Sequence, residues 1–167
     1  MNKPHPPGIT LGKLTNNARL NDISPEELRE GLDFRGKKLI PHWEIVRKEL
    51  RKIEGYFASE VNKYRNENFE YTQEGLERAV QVVGVQVMAN NLFQSIGGTI
   101  VALRGKSNIY ASLAILSSTN QLGLVRDLLR NKEFHTVIID LKPLYKVLDE
   151  IAKVLEGVFV SEEEHNY

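Results

Sequence analysis

Arg130-Asn131-Lys132-Glu133-Phe134-His135 is a charged interruption between two long apolar-periodic segments near the end of the chain, and its residue types could do chemistry. An arginine and a histidine with four residues between them can converge on one phosphodiester if the backbone bends between them. Arginine offers a permanent charge and a planar fork for phosphate oxygens, and histidine moves a proton near neutral pH. Asn131, beside the arginine, is placed to orient a ring or a phosphate. Such a set would promote attack of a ribose 2′-hydroxyl on its own phosphate, a reaction that needs no metal. One histidine falls short of an acid–base pair, and a second copy of the chain in a dimer would supply the other. The competing reading is purely electrostatic: Arg130, Lys132 and His135 are cations at a helix C-terminus, where the helix dipole favours positive charge.

The elements that must position this stretch read as helices. Residues 1–22 hold Pro4, Pro6 and Pro7 with little apolar periodicity, which predicts an extended arm, either disordered or ordered on a partner. Ser24-Pro25-Glu26-Glu27 carries a cap, a first-turn proline and a capping box, with Ile23 and Leu28 as a staple, so a short helix should begin there and end before Asp33-Phe34-Arg35-Gly36. Pro41 then marks the entry to a long helix over about 42–66, with Val46, Leu50, Ile53, Phe57, Val61 and Tyr64 on one stripe. Its other face mixes Lys48, Arg51 and Lys52 with Glu44, Glu49 and Glu54, which suits a solvated surface better than a nucleic-acid face.

Thr72 can cap a second helix. From Ala79 to Leu103 that helix carries no charge. One stripe is apolar (Val82, Val85, Leu92, Ile96, Ile100, Leu103), and the stripe beside it is small or polar (Gln81, Gly84, Met88, Asn91, Ser95, Gly98). The run is long enough to cross a bilayer, but Gln81, Gln86, Asn90, Asn91 and Gln94 would be costly in hydrocarbon, so the expectation is no membrane span. After a turn at Arg104-Gly105-Lys106-Ser107, a third helix over about 108–130 is again uncharged through Val125. Two poorly charged helices joined by a short turn should be antiparallel neighbours. In a subunit of this size they predict a homo-oligomer, most simply a two-fold dimer through residues 79–103 and 108–125. His135 to Ile139 looks extended, with β-branched Val137, Ile138 and Ile139. Asp140 should cap a last helix that tolerates Pro143 in its first turn and places Leu141, Leu144, Leu148, Ile151, Leu155 and Val158 on its core stripe.

The expected fold is therefore all-α: an up-down four-helix bundle over residues 41–160, preceded by the arm and short helix of residues 1–40 and followed by an acidic tail, 161–167. The 167 residues, 41% of them hydrophobic, suit one domain. The 22 basic and 22 acidic side chains cancel, so no overall field draws the protein to nucleic acid or an anionic membrane, and any such binding must be local. With no cysteine there is no disulfide, thiolate metal site or cysteine nucleophile. No histidine–carboxylate grouping has metal-ligand spacing, and neither a phosphate-binding glycine loop nor a serine-nucleophile motif is present, so no metal or cofactor is expected. His5 and His165 read as exposed terminal residues, and His42 as a helix-entry residue beside Trp43. The start, Met1 to Gly8, lacks a secretion signal's apolar core, which points to the cytoplasm.

Arg130-Asn131, followed by His135 after four intervening residues between the last two core helices, resembles the motif of the HEPN superfamily. Many of these helical-bundle proteins are ribonucleases of toxin–antitoxin and phage-defence systems. The apolar passage ending at Asp140 before a closing helix also looks like members of that family, whereas Val137 stands where many members carry a tyrosine. The resemblance implies a metal-independent, RNA-cleaving or RNA-binding protein active as a dimer, with Arg130 and His135 catalytic and Asn131 supporting them. The alternative from another class is a non-catalytic structural subunit of a larger assembly, such as a viral coat or ribonucleoprotein component, for which the arm and the uncharged helix faces would supply repeated contacts.

Overall fold

The computed structural model describes residues 25–68, 70–137 and 139–164. The N-terminal arm, the Ser24 cap, His5 and the last three residues, His165 among them, lie outside these. Four α-helices follow in order: α1 (Pro25–Asn62), α2 (Gln73–Arg104), α3 (Asn108–Leu129) and α4 (Lys142–Glu164), with one 3-10 turn (Lys132–Thr136) between α3 and α4. The all-α bundle expected from the sequence is the fold observed. Helix α1 packs most extensively on α2, then on α4 and α3, and α2 packs along α3.

The first helix differs from expectation. A short helix, a break over 33–41 and a second helix were the sequence reading; instead α1 runs unbroken for 38 residues with Pro41 inside it. The reason is phase. Leu32, Gly36, Leu39, Trp43, Val46, Leu50, Ile53, Phe57 and Val61 are all buried and recur at spacings of three and four, so the core stripe passes straight through the proposed break. Proline inside a helix removes one backbone hydrogen bond and crowds the preceding turn, at about 3 kcal/mol. Burial of Leu39 and Trp43, both 0% exposed, is worth roughly 1.5–3 kcal/mol each and offsets that loss. His42 is accordingly mid-helix and half-buried, not at a helix entry.

The other boundaries fall where the caps place them. The Thr72 hydroxyl accepts from Gly75 N–H at 2.9 Å and opens α2. A Cβ on Gly75 would lie 2.7 Å from that hydroxyl oxygen and 3.1 Å from Tyr64 Cβ, so only glycine fits beneath the loop that joins α1 to α2. Ser107 caps α3 through the Tyr110 N–H, and Asp140 accepts from Lys142 N–H at 3.0 Å to open α4. The passage 135–139 is not extended throughout: residues 132–136 wind into the 3-10 turn, and the extended backbone begins at Val137.

A polar seam fixes the register of the core. Trp43 Nε1 donates to Ser118 Oγ at 3.0 Å, and Ser118 in turn donates to Ala114 O. Gln121 donates to Ser95 Oγ at 2.8 Å and accepts from Thr99 at 2.9 Å, tying α3 to α2. Buried polar groups that satisfy one another cost little where they sit and a great deal if slid apart, so the seam sets how α1, α2 and α3 align.

Candidate functional site

The stretch from Arg130 to His135 follows α3 directly. Asn131 caps the 3-10 turn, its side-chain oxygen accepting from Glu133 N–H at 3.0 Å. Phe134 is driven into the core, where its ring meets Phe57 edge-on at 5.2 Å. Glu133 is 4% exposed, and its carboxylate accepts from Arg78 of α2 at 2.6 Å. Arg78 is held above arginine's ordinary value, first by its hydrogen bond with Tyr64, with Glu133 adding to the effect against partial burial. Two side chains of the stretch therefore anchor the turn, one by packing and one by charge.

Arg130, Lys132 and His135 remain on the outside. Residues three apart in a 3-10 turn eclipse, so Lys132 and His135 share one side, and both are exposed. Arg130 is exposed as well and pairs with Asp127 one turn back in α3, at 3.1 Å. The structure thus brings Arg130, Asn131 and His135 onto one braced turn, with Asn131 engaged in capping and Arg130 in a surface ion pair. Surface pairs of this kind are worth about 1 kcal/mol or less, so Arg130 can exchange Asp127 for another anion at small cost. Among the described residues no three histidine or carboxylate side chains gather in a way that could hold a metal ion, and no helix is long and apolar enough to cross a membrane.

A second feature is larger. On α2 the exposed residues Val80, Gly84, Val87, Asn91, Gln94, Gly98 and Val101 form one continuous stripe, and on α3 Tyr110, Leu113, Ser117, Asn120 and Leu124 form another. None of them is charged. Val80 (64% exposed), Val101 (70%), Ile109 (73%) and Leu113 (52%) are large hydrophobic side chains turned to solvent. Between the stripes runs a shallow groove of about 270 Å³, floored by Thr99 and Gln121 and walled by Ser95, Gly98, Tyr110 and Leu113. Gly84, Gly98 and Gly123 have nothing within 4 Å of a hypothetical Cβ, so no contact inside the described chain requires glycine at those positions.

Comparison with family models, with curated proteins and with solved structures finds no match to this chain. The site is therefore read from its own geometry.

Sequence reasoning found the uncharged helices and missed two charged features. The part-buried Arg78–Glu133 pair joins residues 55 positions apart, with no local signal. Between α1 and α4, Lys37, Lys38 and His42 meet Lys153 around a groove of about 460 Å³. The Lys37-Lys38 doublet was its visible half; Lys153 joins it only through the fold.

Proposed function

We propose that this chain is a non-catalytic structural subunit that associates with copies of itself through the uncharged face of α2 and α3. The observation that carries this reading is the paired stripe of solvent-facing Val80, Val87, Val101, Tyr110 and Leu113, with no charged residue in either stripe. Isolated monomers rarely expose contiguous apolar patches beyond a few hundred square ångströms, and larger ones mark contact surfaces. The glycines agree with this. Each costs about 1 kcal/mol relative to alanine in a helix interior, and Gly84 and Gly98 of the α2 stripe lie in open space, so close approach of another helix gives them a purpose.

The test is sedimentation of the purified chain beside Leu113→Glu, which places a charge at the centre of the face. The wild type should sediment as a dimer or larger species, and the variant should lose the salt-resistant dimer and sediment as a monomer at high salt, with an unchanged circular dichroism spectrum. Equal sedimentation of the two would refute the reading.

A second reading is favoured by one observation, the exposure of Lys132 and His135 on the same side of a braced turn beside Arg130. In it the dimer is a metal-independent ribonuclease with Arg130 and His135 as the catalytic pair and Asn131 holding the turn. Incubation with RNA in the presence of a chelator decides it: cleavage should fall at least about a hundredfold in His135→Ala and Arg130→Ala. Cleavage absent from the wild type, or unchanged in both variants, removes it.

A further inference from the structure

The groove between α1 and α4 lies outside the α2–α3 stripes, and its lining is charged. Lys37 and Lys38 stand on α1 with Pro41 and half-buried His42, and Lys153 faces them from α4. Lys38 Nζ sits 4.5 Å from the Phe34 ring centroid. Glu150, the one carboxylate among the described residues that line the groove, lies 3.6 Å from Lys153. Among the described residues neither Lys37 nor Lys38 is paired with a carboxylate, and three like charges gather there with one described acid, so an anionic partner would relieve their repulsion.

The chain carries a segment of complementary charge. Ser161-Glu162-Glu163-Glu164 ends α4, and the last turn of that helix holds no basic residue. Carboxylates at a helix C-terminus face the negative end of the dipole and are unfavourable there unless cations come to them. Along its own helix that run lies beyond the groove. Helix α4 is itself one wall of the groove and continues from Lys153 through Glu164, which carries the acidic run about 16 Å onward along the helix axis.

We propose that the α1–α4 groove receives the acidic C-terminal run of a second copy, Glu162 to Glu164 pairing with Lys37, Lys38 and Lys153. A short acidic segment suits it better than a continuous polyanion such as RNA, because Glu150 lies inside it and Glu30, Asp33 and Glu44 are exposed on the same helix, α1. The contact is head-to-tail: groove and tail are different surfaces, so each copy offers one of each and the association propagates or closes into a ring. The inference rests on the self-association reading and deepens it, since a face-to-face contact through α2 and α3 stops at pairs and this second contact joins pairs together.

The experiment is sedimentation of the full chain at low and high salt, in the wild type and in the Leu113→Glu background. Three sets of changes are added: Lys37→Glu with Lys38→Glu; Glu162→Lys with Glu163→Lys and Glu164→Lys; and both sets together. Circular dichroism confirms folding, and Lys37, Lys38 and Leu113 are exposed. In Leu113→Glu a weak, salt-sensitive association should remain. Either charge reversal should weaken it at least about tenfold, and the double reversal should restore it. A Leu113→Glu chain that is monomeric at every concentration and salt, or association unmoved by either reversal, or no restoration in the double reversal, overturns the groove assignment and leaves the α2–α3 reading standing. Wild-type and Leu113→Glu chains that sediment alike remove the α2–α3 reading, and the charge reversals still judge the groove. Binding of a single-stranded RNA that is lost on reversing Lys37 and Lys38, with self-association unchanged, gives the groove to nucleic acid and also overturns the proposal.

Discussion

Glu133 shows how one residue fixes the turn that carries Arg130 and His135. Its carboxylate is almost wholly buried and its partner Arg78 is under half exposed, so the pair lies between a surface bridge and an interior one. Deleting the arginine leaves a buried negative charge without its cation, which costs roughly 3–5 kcal/mol for a fully buried pair. Solvent access to Arg78 reduces that, and Arg78→Ala should lower stability by about 2 kcal/mol. Glu133→Gln keeps shape and hydrogen-bonding capacity and should cost less. Urea denaturation of the two variants checks the order; an Arg78→Ala protein as stable as the wild type would mean that the pair does not hold the turn. Because the folded protein holds Arg78 above its ordinary value, that stabilisation is complete below the unfolded value and is lost only as pH rises through the raised one. The deficit of Arg78→Ala should therefore be the same across the neutral range.

The helices separate what the sequence made legible from what it hid. In α2 the cap at Thr72 and the buried stripe could be read directly, because hydroxyl caps and a 3.6-residue period are local properties, whereas Ser107, read as part of the turn, caps α3. In α1, Gly36 and Pro41 looked like punctuation. Both are absorbed, Gly36 because its Cα lies close to α2, where a Cβ would meet Leu103 O at 3.6 Å, and Pro41 because it sits on the exposed side. Local breakers lose to tertiary burial when the apolar stripe stays in phase across them. The motif followed the same division. The types Arg130, Asn131 and His135 were visible, whereas the capping role of Asn131 and the pairing of Arg130 with Asp127 depend on where α3 stops. The helical glycines provide the element-scale test. Gly84→Ala and Gly98→Ala enter open space, so each should raise the stability of the monomer by about 0.5–1 kcal/mol. The same changes should weaken self-association by holding the partner helix away. A calorimetric melting temperature that rises while the dissociation constant also rises is the expected pair of signs; stabilisation with unchanged association would place these glycines outside any interface.

At the scale of the molecule, the question is whether the α2–α3 face is large enough to hold two copies together. Helix α3 has 22 residues and is about 33 Å long. Two helices side by side present a strip about 20 Å wide. Such a face covers roughly 650 Å² per copy, or about 1,300 Å² in total, which falls within the range of specific protein interfaces. Its chemistry sets the response to solution conditions. Burial of Val80, Val101, Ile109 and Leu113 involves no ionic group, so sodium chloride should leave the association nearly unchanged, sulfate should strengthen it, and cooling should weaken it. The groove contact between α1 and α4 responds in the opposite sense to salt, because it pairs lysines with glutamates. A titration with sodium chloride should therefore take the wild type from larger species to a salt-resistant dimer, and further salt should not split that dimer. Dissociation directly to monomer on adding modest sodium chloride would show that charge, not the apolar face, holds the copies together, and the structural-subunit reading would have to be rebuilt on the groove alone.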